Sequence, residues 1–168
     1  MVKTAELPDA DVRIVNLSSL GHNFSPKNGI AFDTLKTAQA GEMGPVRYGQ
    51  SKLANVLYAS EIAKRYPQLT AVSCHPGVII TQLYHTQTFL MRMIIQVSTV
   101  LRGDSMKTPK EGAHNQLWLA TVKKDNLANG EFYMPVGQPR GRSKMSKDDK
   151  LMGRLWDWTE RELEPFKL

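Results

Sequence analysis

Two short β-branched runs bracket one amphipathic helix, and that succession limits the fold more than any other feature of the chain. Val12-Arg13-Ile14-Val15-Asn16-Leu17 ends in Ser18-Ser19 and reads as a buried strand. From Tyr48 to Arg65 the apolar residues Leu53, Val56, Leu57, Ala59, Ile62 and Ala63 recur at three-and-four spacing, which predicts a helix with one buried stripe. Pro67 closes it, and Thr70-Ala71-Val72-Ser73-Cys74-His75 follows as a second strand stopped by Pro76-Gly77. Strand, helix and strand joined in this way form a parallel α/β sheet.

The rest of the chain extends that pattern. Gly21 to Arg47 is rich in Gly, Pro, Asn and Ser and predicts a long connection with a short helix near Phe32 to Ala40. Phe89 to Val97 is mostly apolar, and Arg92 and Gln96 keep it from being a membrane span. Thr81 to Leu101 therefore reads either as a mobile amphipathic lid or as a buried helix. Thr108-Pro109-Lys110-Glu111 carries an N-cap, a proline at the first helical position and a glutamate at the third, so a helix starts there and runs on through Ala113, Leu117, Trp118 and Ala120. A last strand is expected over Gly130 to Val136, and a closing helix with Trp156 and Trp158 over Asp148 to Leu163. The three tryptophans are expected to fill core or interface gaps.

Composition narrows the class. With 168 residues, 41% hydrophobic and 23% charged, the chain suits one globular domain spanning residues 1–168. It has no apolar run of membrane-spanning length and no basic-then-apolar leader after Met1, so a soluble, cytoplasmic chain without a transmembrane segment is expected. The single cysteine, Cys74, excludes an internal disulfide and reads as a small buried residue. The four histidines lack metal-ligand spacing, so no metal site is expected, and His75 is expected to pack. Net charge is +6, with Arg140, Arg142, Lys144, Lys147 and Lys150 crowded into one stretch. That stretch lacks aromatic interleaving and any nucleic-acid-binding signature, so it reads as a solvated face or mobile loop and no nucleic-acid partner is expected.

Chemistry concentrates at one pair. Tyr48 and Lys52 lie four residues apart at the start of the first long helix, so both side chains leave the same face. A free tyrosine has a pKa near ~10, too high to exchange protons readily at neutral pH, and a neighbouring ammonium favours the phenolate. Ser19, just past the carboxyl end of the first strand, is placed to steady a substrate oxygen. An isolated pair of this kind is ordinarily two helix-surface neighbours, and the surrounding motifs change that reading.

Ile14-Val15-Asn16-Leu17-Ser18-Ser19, then Tyr48-Gly49-Gln50-Ser51-Lys52-Leu53-Ala54-Asn55, then His75-Pro76-Gly77-Val78-Ile79-Ile80-Thr81 resemble, in order, successive motifs of the short-chain dehydrogenase/reductase family. The wording around Tyr48 and the long insert before it are most similar to the retinol-dehydrogenase and WW-domain-oxidoreductase branch. The resemblance runs from about Val12 to about Phe166 and implies the C-terminal half of a doubly wound parallel-sheet, Rossmann-type α/β domain. It implies three catalytic residues: Ser19, rather than Ser18, polarising a substrate carbonyl, Tyr48 as general acid/base, and Lys52 lowering the tyrosine's pKa. Lys52 would also bond the nicotinamide ribose, with Tyr48 beside it. Pro76, Gly77, Ile79 and Thr81 match the loop that packs on the nicotinamide, Ile79 where the backbone meets the carboxamide and Thr81 near the carboxamide or pyrophosphate. The implied reaction is hydride transfer between NAD(P)(H) and a small, apolar carbonyl or alcohol substrate. NADP is the favoured form, although the residues that choose between the forms belong to the half of the domain not matched.

The family's Thr-Gly-x-x-x-Gly-x-Gly turn, its Asn-Asn-Ala-Gly element and the helix bearing its catalytic asparagine have no counterpart in this sequence, and Asn16 does not replace that asparagine. A truncated domain is therefore expected, with cofactor binding compromised and one edge of the sheet bare. Self-association, as a homodimer or otherwise, through that edge is one expected consequence. A non-catalytic remnant acting as an interaction or regulatory module is the alternative to an oxidoreductase.

Overall fold

A computed structural model describes residues 1–82, 89–101 and 105–167. In chain order its helices are α1 (Val2–Ala5), α2 (Gly44–Arg65), α3 (Phe89–Leu101), α4 (Pro109–Gly112), α5 (His114–Thr121) and α6 (Asp149–Leu163). The strands are β1 (Arg13–Leu17), β2 (Thr70–Cys74), β3 (Phe132–Met134) and β4 (Gln138–Pro139). They form one sheet in the order β1-β2-β3-β4.

Helix α2 is the crossover of a βαβ unit, and β1 and β2 pair in parallel from Arg13 opposite Thr70 to Leu17 opposite Cys74. β3 joins β2 in parallel, with Ser73 opposite Phe132 and Cys74 opposite Tyr133. β4 returns antiparallel to β3, so the sheet is mixed although mostly parallel. The hairpin turn holds Gly137 at a φ of +67, where an added Cβ would press on the Trp118 ring. β2 is buried at all five positions, as a central strand covered on both faces should be. β1 is only half-buried and is the parallel edge of the sheet.

The core divides by face. On one face α2 and α6 enclose Ile30, Leu53, Leu57, Leu151, Met152 and Leu155. The other holds Val72, Cys74, Leu119 and Tyr133, with Trp118 against them. Trp156 of α6 stacks on Tyr58 at 5.1 Å between ring centroids, and the Arg65 guanidinium lies 4.8 Å from the Trp156 ring centre.

Several sequence expectations need adjustment. Phe32 to Ala40 yields only a three-residue 3-10 turn, Phe32–Thr34. α2 starts a turn earlier than Tyr48, because Pro45 falls within its first turn, where a missing N–H costs nothing. The helix expected from Thr108 starts as read, with a reciprocal capping box between Thr108 and Glu111, but it divides at Ala113 into α4 and α5. Gly112, a weak helix former, is the last residue of α4, and Ile79 packs where its side chain would lie. The buried face after the break is Asn115 and Leu119, while Leu117 is 58% exposed. The basic stretch is not uniformly solvated: Arg142 is mostly buried and donates to the carbonyl oxygen of Ser146, with Glu131 at 3.4 Å. Of the segment read as a lid or a buried helix, residues 83–88 lie outside the described residues; in α3, Met93, Val97, Val100 and Leu101 are exposed. Among the described residues no helix is long and apolar enough to cross a membrane, and no cluster of His, Cys, Asp or Glu has metal-holding geometry.

Candidate active site

The carboxyl ends of β1 and β2 meet at one edge of the sheet, where the Ser18 N–H donates to the Cys74 carbonyl at 2.7 Å. Ser18 is buried and its hydroxyl donates to the Lys52 carbonyl oxygen at 2.7 Å, tying the strand end to α2. Its hydroxyl proton is thereby engaged in a structural bond. Ser19 is in extended backbone and caps the 3-10 turn Leu20–Phe24, its Oγ accepting the Gly21 N–H at 3.0 Å. That bond uses a lone pair and leaves the hydroxyl proton free to donate.

Tyr48 packs beside this turn. A Cβ built on Gly21 would meet Tyr48 Cε1 at 2.6 Å and Ser19 Oγ at 3.4 Å, so the ring and the hydroxyl flank the same bare backbone position. Gly49 makes this fit possible. A Cβ on Gly49 would lie 2.7 Å from the Gly21 oxygen, 2.7 Å from the Phe24 carbonyl carbon and 2.8 Å from the Ser25 nitrogen. α2 thus meets the turn backbone to backbone. Lys52 Nζ stands 5.7 Å from the Tyr48 ring centre and 3.4 Å from the Leu17 carbonyl oxygen. The same carbonyl takes a shorter bond from Asn55 Nδ2 at 3.0 Å, so Lys52 is held only loosely by it and has N–H groups to spare.

The second expected group lies past the neighbouring strand. Gly77 has a φ of +93, and the Lys107 side chain runs against it, with Cδ and Cε 3.0 Å from where a Cβ would stand. Ile79 bridges to Lys107 as a parallel pair, with Ile80 N–H donating to the Lys107 oxygen at 2.9 Å and Lys107 N–H to the Val78 oxygen at 2.8 Å. Pro76 and Ile79 are partly buried and Thr81 is exposed. Below the loop, Asn115 Nδ2 donates to the carbonyl oxygens of His75 and Tyr133, at 2.8 and 3.1 Å, pinning the ends of β2 and β3. His75 is buried, in line with a packing role. Ser19, Tyr48 and Lys52 therefore gather on one side, and Pro76 to Thr81 follow the adjacent strand end.

Sequence reading passed over Gly49, Asn55 and His22. The first two sit inside the motif around Tyr48, and only the fold shows what they touch. His22 is fully buried: its Nδ1 lies 2.7 Å from the Ser19 carbonyl oxygen, and its Nε2 accepts the Ser143 N–H at 3.3 Å. Burial chiefly lowers its pKa, and the Arg142 charge adds to that, against the Ser19 bond. Burial also pushes the Cys74 thiol up to about 12, so Cys74 is inert as a nucleophile in the folded chain. A cavity of about 250 Å³ lies elsewhere, lined by Ser60, Lys64, Gly130, Arg142, Lys147 and Asp149 among others. It takes none of the expected site residues and lies by the carboxyl-terminal part of α2, away from Tyr48.

Comparison with known proteins gives a consistent result. The short-chain dehydrogenase/reductase drtF of Aspergillus calidoustus is 35% identical over 94% of this chain and 52% of its own length. Mouse retinol dehydrogenase 11 is 34% identical over 88% of this chain and 44% of its own length. A solved structure of an uncharacterized protein from Mycobacterium paratuberculosis superposes with a TM-score of 0.64, at 25% identity, over 94% of this chain and 52% of that one. No family model matches the chain. The chain spans about half the length of the curated relatives it matches.

Proposed function

Because the chain belongs to the short-chain dehydrogenase/reductase family, as about half the length of its relatives, we propose that it carries the catalytic side of an oxidoreductase site, with Ser19, Tyr48 and Lys52 in the acting roles. The observation that carries this reading is the meeting of the Tyr48 ring and the Ser19 hydroxyl over the bare backbone of Gly21, with the Lys52 ammonium on the same helix face.

A nicotinamide cofactor fits the residues in part. Lys52 has N–H groups free for ribose hydroxyls, and the Pro76 to Thr81 loop with Gly77 offers backbone at the adjacent strand end. A glycine-rich turn for a pyrophosphate is not among the residues of this sequence. When bound, such a cofactor supplies or accepts the hydride. The chain's own residues do the rest. The Ser19 O–H donates to the oxygen of a small apolar carbonyl or alcohol substrate, which holds it within reach of Tyr48. The Tyr48 hydroxyl gives a proton to that oxygen in reduction and takes it back in oxidation. The Lys52 charge stabilises the phenolate left behind. On this reading the cofactor is NAD(P), with NADP the favoured form, and the chain works in the cytoplasm.

A second reading has one observation in its favour. Tyr48 is 48% exposed and Ile80 and Thr81 are exposed, so among the described residues these groups present an open shelf. A non-catalytic module that presents this shelf to a partner is the alternative. The test is titration of the chain with NADPH and NADH, followed by quenching of its tryptophans, together with carbonyl reduction by the chain and by Tyr48→Phe. The oxidoreductase reading expects saturable quenching and a Tyr48→Phe rate about 10²- to 10⁴-fold lower. It expects unchanged thermal stability, since Tyr48 is half-exposed. No quenching at millimolar cofactor, or undiminished turnover in Tyr48→Phe, overturns it.

A further inference from the structure

His22 is fully buried beside Ser19, and its two ring nitrogens are committed to opposite kinds of partner. The Ser19 carbonyl can only accept, so Nδ1, at 2.7 Å, carries the hydrogen. The Ser143 N–H can only donate, so Nε2, at 3.3 Å, is bare. One neutral tautomer satisfies both, and the imidazolium satisfies only the first.

The clamp has a firm anchor at each end. The Ser19 carbonyl also accepts the His22 backbone N–H at 3.1 Å, so the 3-10 turn closes on it twice. Ser143 is fixed through Ser146, whose N–H donates to Ser143 Oγ at 3.1 Å and whose hydroxyl donates to the Ser143 oxygen at 2.8 Å. The ring itself meets the Phe132 ring edge-on, with centroids 5.0 Å apart. Arg142 is the charged group facing His22 from the loop, and it is paired with Glu131 of the segment entering β3.

We propose that His22 is a positioning residue: an uncharged imidazole that locks the Ser19 backbone to the loop at Ser143 and so fixes where the Ser19 hydroxyl points. The geometric part stands on the hydrogen bonds alone, and its consequence for turnover rests on the oxidoreductase reading. Protonation would turn Nε2 into a donor facing another donor, the Ser143 N–H, beside the Arg142 cation. The clamp therefore opens in acid. The sign follows from a folded pKa held below the ordinary 6.5. The unfolded chain takes up the proton first, so the contribution to stability is complete above about 6.5 and declines as pH falls below it.

The experiment uses the full chain as wild type, His22→Asn and His22→Leu. Asparagine places an amide N–H near the position of Nδ1–H, and leucine keeps the apolar bulk without a donor. Imidazole nitrogen NMR should find the Nδ1–H tautomer in the wild type, with His22 taking up its proton at lower pH than an exposed histidine does. Denaturation midpoints between pH 7 and pH 5 should fall more steeply for the wild type than for either variant. With a model carbonyl substrate, His22→Leu should lower kcat roughly tenfold to a hundredfold with KM little changed, and His22→Asn should restore most of that loss. An Nε2–H tautomer, an ordinary titration of His22, or His22→Leu turning over like the wild type overturns the proposal. If the wild type neither binds cofactor nor turns over, it is the oxidoreductase reading that fails, and the tautomer and the pH profile still judge the clamp.

Discussion

An alanine at Gly49 has nowhere to put its methyl group, since the nearest atoms are backbone atoms of Gly21, Phe24 and Ser25 at 2.7 to 2.8 Å. Backbone does not swing aside as a side-chain tip does, so Gly49→Ala must push α2 off the turn. We expect a loss of about 1–3 kcal/mol in urea denaturation and displacement of the Tyr48 ring from Gly21. At this scale the sequence was only partly legible. The spacing of Tyr48 and Lys52 was enough to place both on one helix face, because helical geometry is local. The need for glycine at position 49 was not, because it arises from a turn brought in from elsewhere in the chain. His22 escaped notice for a similar reason: its role depends on the Ser143 N–H, a partner that no spacing rule connects to it.

Whole elements were more readable where a start signal is chemical and less so where packing ends them. The Thr108 side chain accepts the Glu111 N–H at 3.3 Å, and Glu111 returns a 2.8 Å bond from the Thr108 N–H, as the local sequence implied. The Thr108 backbone N–H first, and then the Thr108 hydroxyl, which donates to the same carboxylate at 2.7 Å, hold the Glu111 carboxyl below its usual range. Thr108→Ala should cost about 1 kcal/mol of stability, read as a shift in the urea midpoint at constant slope. A much larger loss would mean that α4 also props the loop through the contact of Gly112 with Ile79. The break at Ala113 and the hairpin between β3 and β4 could not be read from periodicity. Beside the first, Gly112 has no room for a side chain because of Ile79, and in the second Gly137 has none because of Trp118, each from another part of the fold. β1, α2 and β2, whose signals are periodic and self-contained, agree with their expected spans to within a few residues.

The two rims of the sheet differ in kind. β4 carries Pro139, which cannot donate to an added strand, so that rim is blunted. β1 has no proline, runs parallel to its one neighbour and leaves Leu17 45% exposed. We expect concentration-dependent self-association along β1 in sedimentation velocity, reduced by Leu17→Lys; a single monomeric species at all concentrations, the same in both proteins, would count against it. The bare rim was expected from the family motifs without a counterpart in the sequence, and among the described residues β1 stands at the end of the sheet. Such association leaves no sulfur trace. The one thiol of the chain is sealed inside β2, the strand that no neighbouring molecule can touch while the sheet is intact. Native copies gathered along their rims thus have nothing to oxidise together, and any covalent dimer on a non-reducing gel counts molecules that had already come open.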